Sequence, residues 1–249
     1  MISILIPTTL KTEPYYDLCE KSILENTTMN VCQIIQGANG EGTSEPQGQC
    51  RAVNRVAQRA MGDWLLITNN DMYFPIDWDR DIKFVADCFS PNLIEPTNNP
   101  GSAPPFLKLD AGLTLEEFNK DKVDRFMEDH TECTIENGFN LPFFIKKSLW
   151  EKIGGYDEMY DPFGSNSDSD LQYKLEIAGV TPKRHRGMLV YHFGGKSKTF
   201  TPENQPYWQK NWDYFIEKWG FEREDTVWEH NLHIPLDKLK FNPKWSKYA

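Results

Sequence analysis

The sequence predicts an α/β fold: a mainly parallel central sheet flanked by helices, followed by a helical, aromatic C-terminal extension. Three observations predict it. Short apolar runs alternate with stretches whose apolar residues recur at helical spacing. The early runs stop at turn-forming or polar segments: Pro7, the Gly37–Gly42 stretch GANGEG, and Asn69-Asn70-Asp71. The third of these puts an oxygen ligand where open α/β sheets bind ligands, at the carboxyl ends of their strands.

Ile2 to Ile6 is an apolar run that reads as a buried strand. Thr12-Glu13-Pro14 marks a helix start, and Tyr15, Leu18, Cys19 and Ile23 follow at helical spacing. Val31 to Gln36 predicts a second strand. Cys50, Val53, Asn54 and Ala57 predict the next helix, with Gly62 as its terminator. Trp64 to Thr68 predicts a third strand. Trp78, Ile82, Val85 and Phe89 then predict a further amphipathic helix, and Pro96 to Pro105 a surface loop ahead of strand-like FLKLD.

Thr114 to His130 predicts a charged surface helix. Leu141 to Ile145 predicts a strand, Ser148 to Ile153 a short helix stopped by Gly154-Gly155, and Leu171, Leu175 and Ala178 a helix that begins just after Asp168. Met188 to Tyr191 predicts the last strand, ending at His192. Beyond Thr201, the aromatic residues Tyr207, Trp208, Trp212, Tyr214, Phe215 and Trp219 crowd into one helix. The expected organisation is a core over residues 1–200 and a helical extension over 201–249 packed on it.

The chain of 249 residues carries a formal net charge of -10, which argues against nucleic acid as a partner. Its 5 cysteines form no CxxC pair, so neither a disulfide framework nor a zinc finger is expected. No run suits a signal peptide or a bilayer span, which predicts a cytoplasmic protein and leaves a peripheral membrane contact open.

Asp71 suits a divalent ion, Mn2+ or Mg2+, that serves a substrate diphosphate. A strand-end turn would use the same residues for local hydrogen bonds. Asp168 and Asp170 suit a general base and an acceptor contact, or else a helix cap. His192 precedes Phe193-Gly194-Gly195, after which Lys196 and Ser197 suit a phosphate. Arg51 is the preferred further cation.

In this order the motifs resemble glycosyltransferase family 2, inverting nucleotide-sugar transferases of the GT-A type. Ile2–Thr9 (ISILIPTT) is similar to the family's opening strand. Gln49–Asp71 resembles its Arg/Asn helix and metal-binding strand end, and Asn140–Glu158 its strand-helix-GGYDE segment. Phe163–Gly179, with His192–Ser197 after it, resembles the catalytic-base motif and the late histidine strand.

The resemblance implies a single Rossmann-like GT-A domain. Metal would sit at Asp71 and His192, and the general base would be Asp168, with Ser167 and Asp170 at the acceptor. Donor contacts would come from Pro7, Thr8, Thr9, Asn39, Arg51, Asn54, Asn69, Asn70, Lys196 and Ser197. It implies a UDP- or GDP-sugar donor and a glycan, lipid-linked or other hydroxyl acceptor.

Three positions depart from the family. Asn69 replaces an Asp, Ser167 replaces a Glu, and Gln36-Gly37-Ala38-Asn39 lacks the Asp that meets the base. The competing expectations are an idle glycan- or nucleotide-binding domain and a sugar-phosphate nucleotidyltransferase. The latter is disfavoured because only Lys11 and no glycine follow the first strand.

Overall fold

The computed structural model describes residues 1–8, 13–38, 48–80, 82, 84–97, 106–196 and 201–220. Its strands are β1 (Ile2–Thr8), β2 (Val31–Ala38), β3 (Trp64–Ile67), β4 (Met72–Tyr73), β5 (Cys88–Glu95), β6 (Leu107–Lys108), β7 (Ile135–Asn137), β8 (Phe143–Lys146) and β9 (Lys183–His192). Its helices are α1 (Glu13–Asn26), α2 (Gln49–Gln58), α3 (Lys120–Asp129), α4 (Lys147–Lys152), α5 (Ser167–Ile177) and α6 (Gln205–Trp219).

The strands make one sheet in the order β2-β1-β3-β8-β5-β9-β4, with β6 on β5 and β7 on β9. Strands β1, β2, β3, β5, β6 and β9 point one way, and β4, β7 and β8 point the other. The apolar runs are continuous because both faces of the sheet are covered. Leu5 and Ile67 pack with α2, α5 and α6 on one face, while Ile4, Ile6 and Leu66 pack with α1 on the other. No helix among the described residues is long and apolar enough to cross a membrane.

Several expectations are corrected. The described residues between Trp78 and Phe89 are not helical: Trp78 sits in a turn, Phe89 on β5, and the two share a core cluster. Asp79 is buried and accepts hydrogen bonds from the backbone N–H groups of Thr28 and Met29, both at 2.8 Å, which pins the chain there as a turn. The central strand β5 has no sequence signature because it carries Ser90, Pro91 and Asn92. Pro91 falls at a register shift against β9, where a strand tolerates proline. Ser90 Oγ donates to the Asn140 carbonyl, and Asn140 in turn donates to the Pro91 carbonyl.

Helix α3 starts only at Lys120, because Asn119 caps it by accepting from the Lys122 N–H at 3.0 Å. It is not a purely surface helix, since Val123 and Met127 are fully buried. Helix α2 ends at Gln58, so Gly62 is not its terminator. A Cβ at Gly62 would come within 2.6 Å of the Ser3 nitrogen, so glycine is required there by close backbone approach. Helix α5 starts at Ser167, which places Asp168 inside its first turn rather than ahead of it.

Helix α6 packs on the core through Phe215 and Trp219. Asn211 donates to the Tyr160 carbonyl and to Ser165 Oγ, and Trp219 donates to Asp170. Lys218, wholly buried, lies 2.7 Å from Asp157 and 2.6 Å from Asp170. Removing one member of a buried ion pair leaves uncompensated charge. Lys218→Ala should therefore destabilise the protein by about 3–5 kcal/mol in a denaturant titration. An unchanged midpoint would contradict this account of how the tail is held. Residues 221–249 of the expected extension lie outside the described residues.

Candidate functional site

The carboxyl ends of the co-directed strands bring Thr8, Ala38, the Asn69–Asp71 segment, Glu95 and His192 to one edge of the sheet. Asp71 stands between β3 and β4, and β4 pairs antiparallel with the end of β9, so His192 lies opposite Met72. The Phe193 N–H donates to the Asp71 carbonyl at 3.1 Å and closes this corner. His192 Nε2 lies 3.6 Å from Asp71 Oδ1, and His192 Nδ1 lies 2.9 Å from Glu95 Oε1.

The chain then turns back through Gly194 and Gly195, both at positive φ (69° and 65°). A Cβ at Gly195 would meet nothing, so the backbone conformation, not space, calls for glycine. The turn delivers the Lys196 backbone N–H to the Asp71 carboxylate. Lys196 Nζ lies 5.8 Å over the Tyr15 ring.

Burial alone would raise the Asp71 carboxyl, but the facing His192 holds it below its ordinary value. Burial likewise works against the His192 imidazolium. Asp71 and Glu95 outweigh it and raise the ring to about 10. A divalent cation arriving here would displace the proton held on His192, take a carboxylate and an imidazole as ligands, and complete its shell with water and phosphate oxygens. These two side chains could hold such an ion. Among the described residues no group of three or more metal-ligating side chains stands ready to do so alone.

A second constellation lies at the start of α5, beside the start of α2. Asp168 is partly exposed, and its Oδ1 accepts from the Tyr156 hydroxyl at 2.8 Å. Burial pushes its carboxyl up to about 6, against the stabilising Tyr156 bond. Tyr156 is set by Asn54, which donates to the Tyr156 carbonyl and accepts from its N–H, both at 2.9 Å. Asp161 accepts from the N–H groups of Cys50 and Arg51 at the start of α2, at 3.0 and 3.1 Å. Burial pushes its carboxyl up to about 6 as well.

The other expected residues fall into three groups. Arg51 Nε pairs with Glu158 at 3.0 Å, and Asn54 is engaged with Tyr156, so both brace the Tyr156–Glu158 segment. Asp170 is fully buried among Tyr160, Lys218 and Trp219, and Ser167 is 2 % exposed with its hydroxyl against the Cys50 thiol. Both side chains are buried and engaged within the protein, so neither is offered to solvent.

Thr8 and Asn70 are buried, Pro7 pairs with Gly37, and Asn69 is partly exposed at the sheet edge. Thr9, Asn39 and Ser197 lie outside the described residues. Glu95 and Tyr156 escaped the sequence reading. Tyr156 stands in the GGYDE segment, and that context was its only signal.

The fold is that of the GT-A-type glycosyltransferases. The structure is similar to crystal structures of GalNAc-T7 with UDP, GalNAc and Mn2+ (TM-score 0.57, 12% identity, covering 90% of this chain and 49% of that one). It is also similar to S. aureus TarS 1-349 (TM-score 0.50, 10% identity, covering 90% of this chain and 73% of that one). The chain thus spans about half the length of the GalNAc-T7 chain. No protein-family model and no curated protein sequence matches it.

Proposed function

We propose that this chain is a glycosyltransferase that moves a sugar from a UDP- or GDP-sugar to an acceptor hydroxyl with inversion at the anomeric carbon. The observation that carries the reading is the pairing of Asp71 with His192, 3.6 Å apart at the carboxyl edge of a GT-A sheet. Asp168, a carboxylate held near neutrality, supports it from the start of α5.

Asp71 and His192 would hold a divalent cation, Mn2+ or Mg2+. When bound it would supply positive charge beside the donor's diphosphate. The Lys196 amide orients the Asp71 carboxylate. Asp168 takes the proton of the acceptor hydroxyl, whose oxygen attacks the anomeric carbon. The bond to the diphosphate oxygen breaks and leaves its electron pair there. One displacement inverts the centre, and no covalent nucleophile is needed. The acceptor is a glycan, a lipid-linked sugar or another hydroxyl compound.

Asp168 must be ionised to act, so turnover should rise with pH through about 6 and level off above it. The Tyr156 hydroxyl favours the ionised form. Tyr156→Phe should therefore move that acid limb to higher pH while sparing the plateau more than the limb. A pH–rate profile of both proteins tests this. A limb that stays in place or moves to lower pH would remove Asp168 from the role.

A further inference from the structure

Resting on the metal reading above, we infer that Glu95 is a positioning residue for His192: it fixes which ring nitrogen faces Asp71. Glu95 ends β5, and the parallel register Ile94↔Tyr191 sets it beside His192 at the end of β9. Its carboxylate is buried (4 % exposed) and lies 2.9 Å from Nδ1. A buried carboxylate is costly without a donor, and the imidazole N–H supplies one.

With Nδ1 committed to Glu95, Nε2 is the nitrogen presented to Asp71 at 3.6 Å. The exposures grade the same way. The His192 side chain is 18% exposed and that of Glu95 6%, so an ion arriving from solvent meets His192 ahead of Glu95. Histidines that bind metal commonly give their second N–H to a carboxylate, which orients the ring and raises its basicity. Glu95 is placed for that, because His192 Nδ1 already occupies its Oε1.

The test is the Mn2+ affinity of the full chain with saturating UDP, read from the free-Mn2+ signal by electron paramagnetic resonance. UDP affinity in chelator is the companion measurement. Glu95→Ala should weaken Mn2+ about 10- to 100-fold. Glu95→Gln keeps an acceptor for Nδ1 but loses the charge, and should weaken it by a smaller factor. UDP binding in chelator should match wild type in both.

Wild-type Mn2+ affinity in the two variants would overturn the inference. So would an equal loss of metal-free UDP binding, the mark of a merely structural role. If Glu95→Ala does not fold, the isosteric Glu95→Gln decides alone, and unchanged Mn2+ affinity in it overturns the inference. Asp71→Ala and His192→Ala run beside them. If those two also bind Mn2+ like wild type, the metal reading itself has failed and the inference falls with it.

Discussion

Asp168→Asn is expected to lose turnover by a factor on the order of 100 to 10,000, the usual contribution of a general base. Donor binding should survive, because Asp168 sits at the start of α5 and not in the Asp71–His192–Glu95 corner. The same variant should be no less stable than wild type at pH 8. The unfolded carboxyl titrates near 3.9, whereas the folded one is held up to about 6. Between those values the native protein keeps a proton that the unfolded chain has released. Stability therefore falls as pH rises through that window, and the loss is complete above it.

Asparagine removes that loss and still accepts from the Tyr156 hydroxyl. The variant should gain up to a few kcal/mol at pH 8, a gain that fades below about pH 4. Melting temperatures at the two pH values, beside turnover of nucleotide sugars, check both halves. A variant with wild-type turnover, or one that melts early at pH 8, would speak against Asp168 as the base.

Asp71→Ala is expected to lower kcat/KM for sugar release by about 100- to 1,000-fold, because the cation it would hold is what stabilises developing negative charge, and losing one such group typically has an effect of that size. The side chain faces His192, the Lys196 amide and the sheet edge, and it takes no part in the hydrophobic clusters. Its loss should fall on activity per folded molecule, with circular dichroism as the control. Activity that declines only in proportion to folded protein would return Asp71 to the role of a strand-end turn. An idle nucleotide-binding domain would instead show no turnover in wild type either.

The parts of this fold legible in the sequence were those whose signal is local. β1 and β3 are apolar runs because each is buried on two faces, β2 is a shorter apolar run packed partly buried at the sheet's edge, and the segments that follow β1 and β3 announce the ligand edge. Asp71 and His192 could be picked out because each lies at or shortly past the carboxyl end of a recognisable strand. β5 was hidden because Ser90 and Pro91 are satisfied by Asn140, about fifty residues away. With β5 went Glu95, which has no meaning until its strand is placed beside β9.

The helical spacing of Trp78, Ile82, Val85 and Phe89 misled because a turn and a strand brought Trp78 and Phe89 to one cluster. At the start of α5 the sequence assigns the base to Asp168 and leaves Asp170 to an acceptor contact or a cap. What separates them is α6, whose Lys218 and Trp219 bury Asp170 and leave Asp168 partly exposed.

The most direct test of the central claim is a calorimetric titration of UDP, with GDP in parallel, into wild type and Asp71→Ala, each in Mn2+ and in chelator. Wild type should bind one of the two diphosphates at least about tenfold more tightly in Mn2+, a difference of about 1.4 kcal/mol. Asp71→Ala should bind it equally weakly in both conditions. Equal affinity in Mn2+ and in chelator for both diphosphates in wild type would contradict a metal-assisted nucleotide-sugar site at Asp71 and His192.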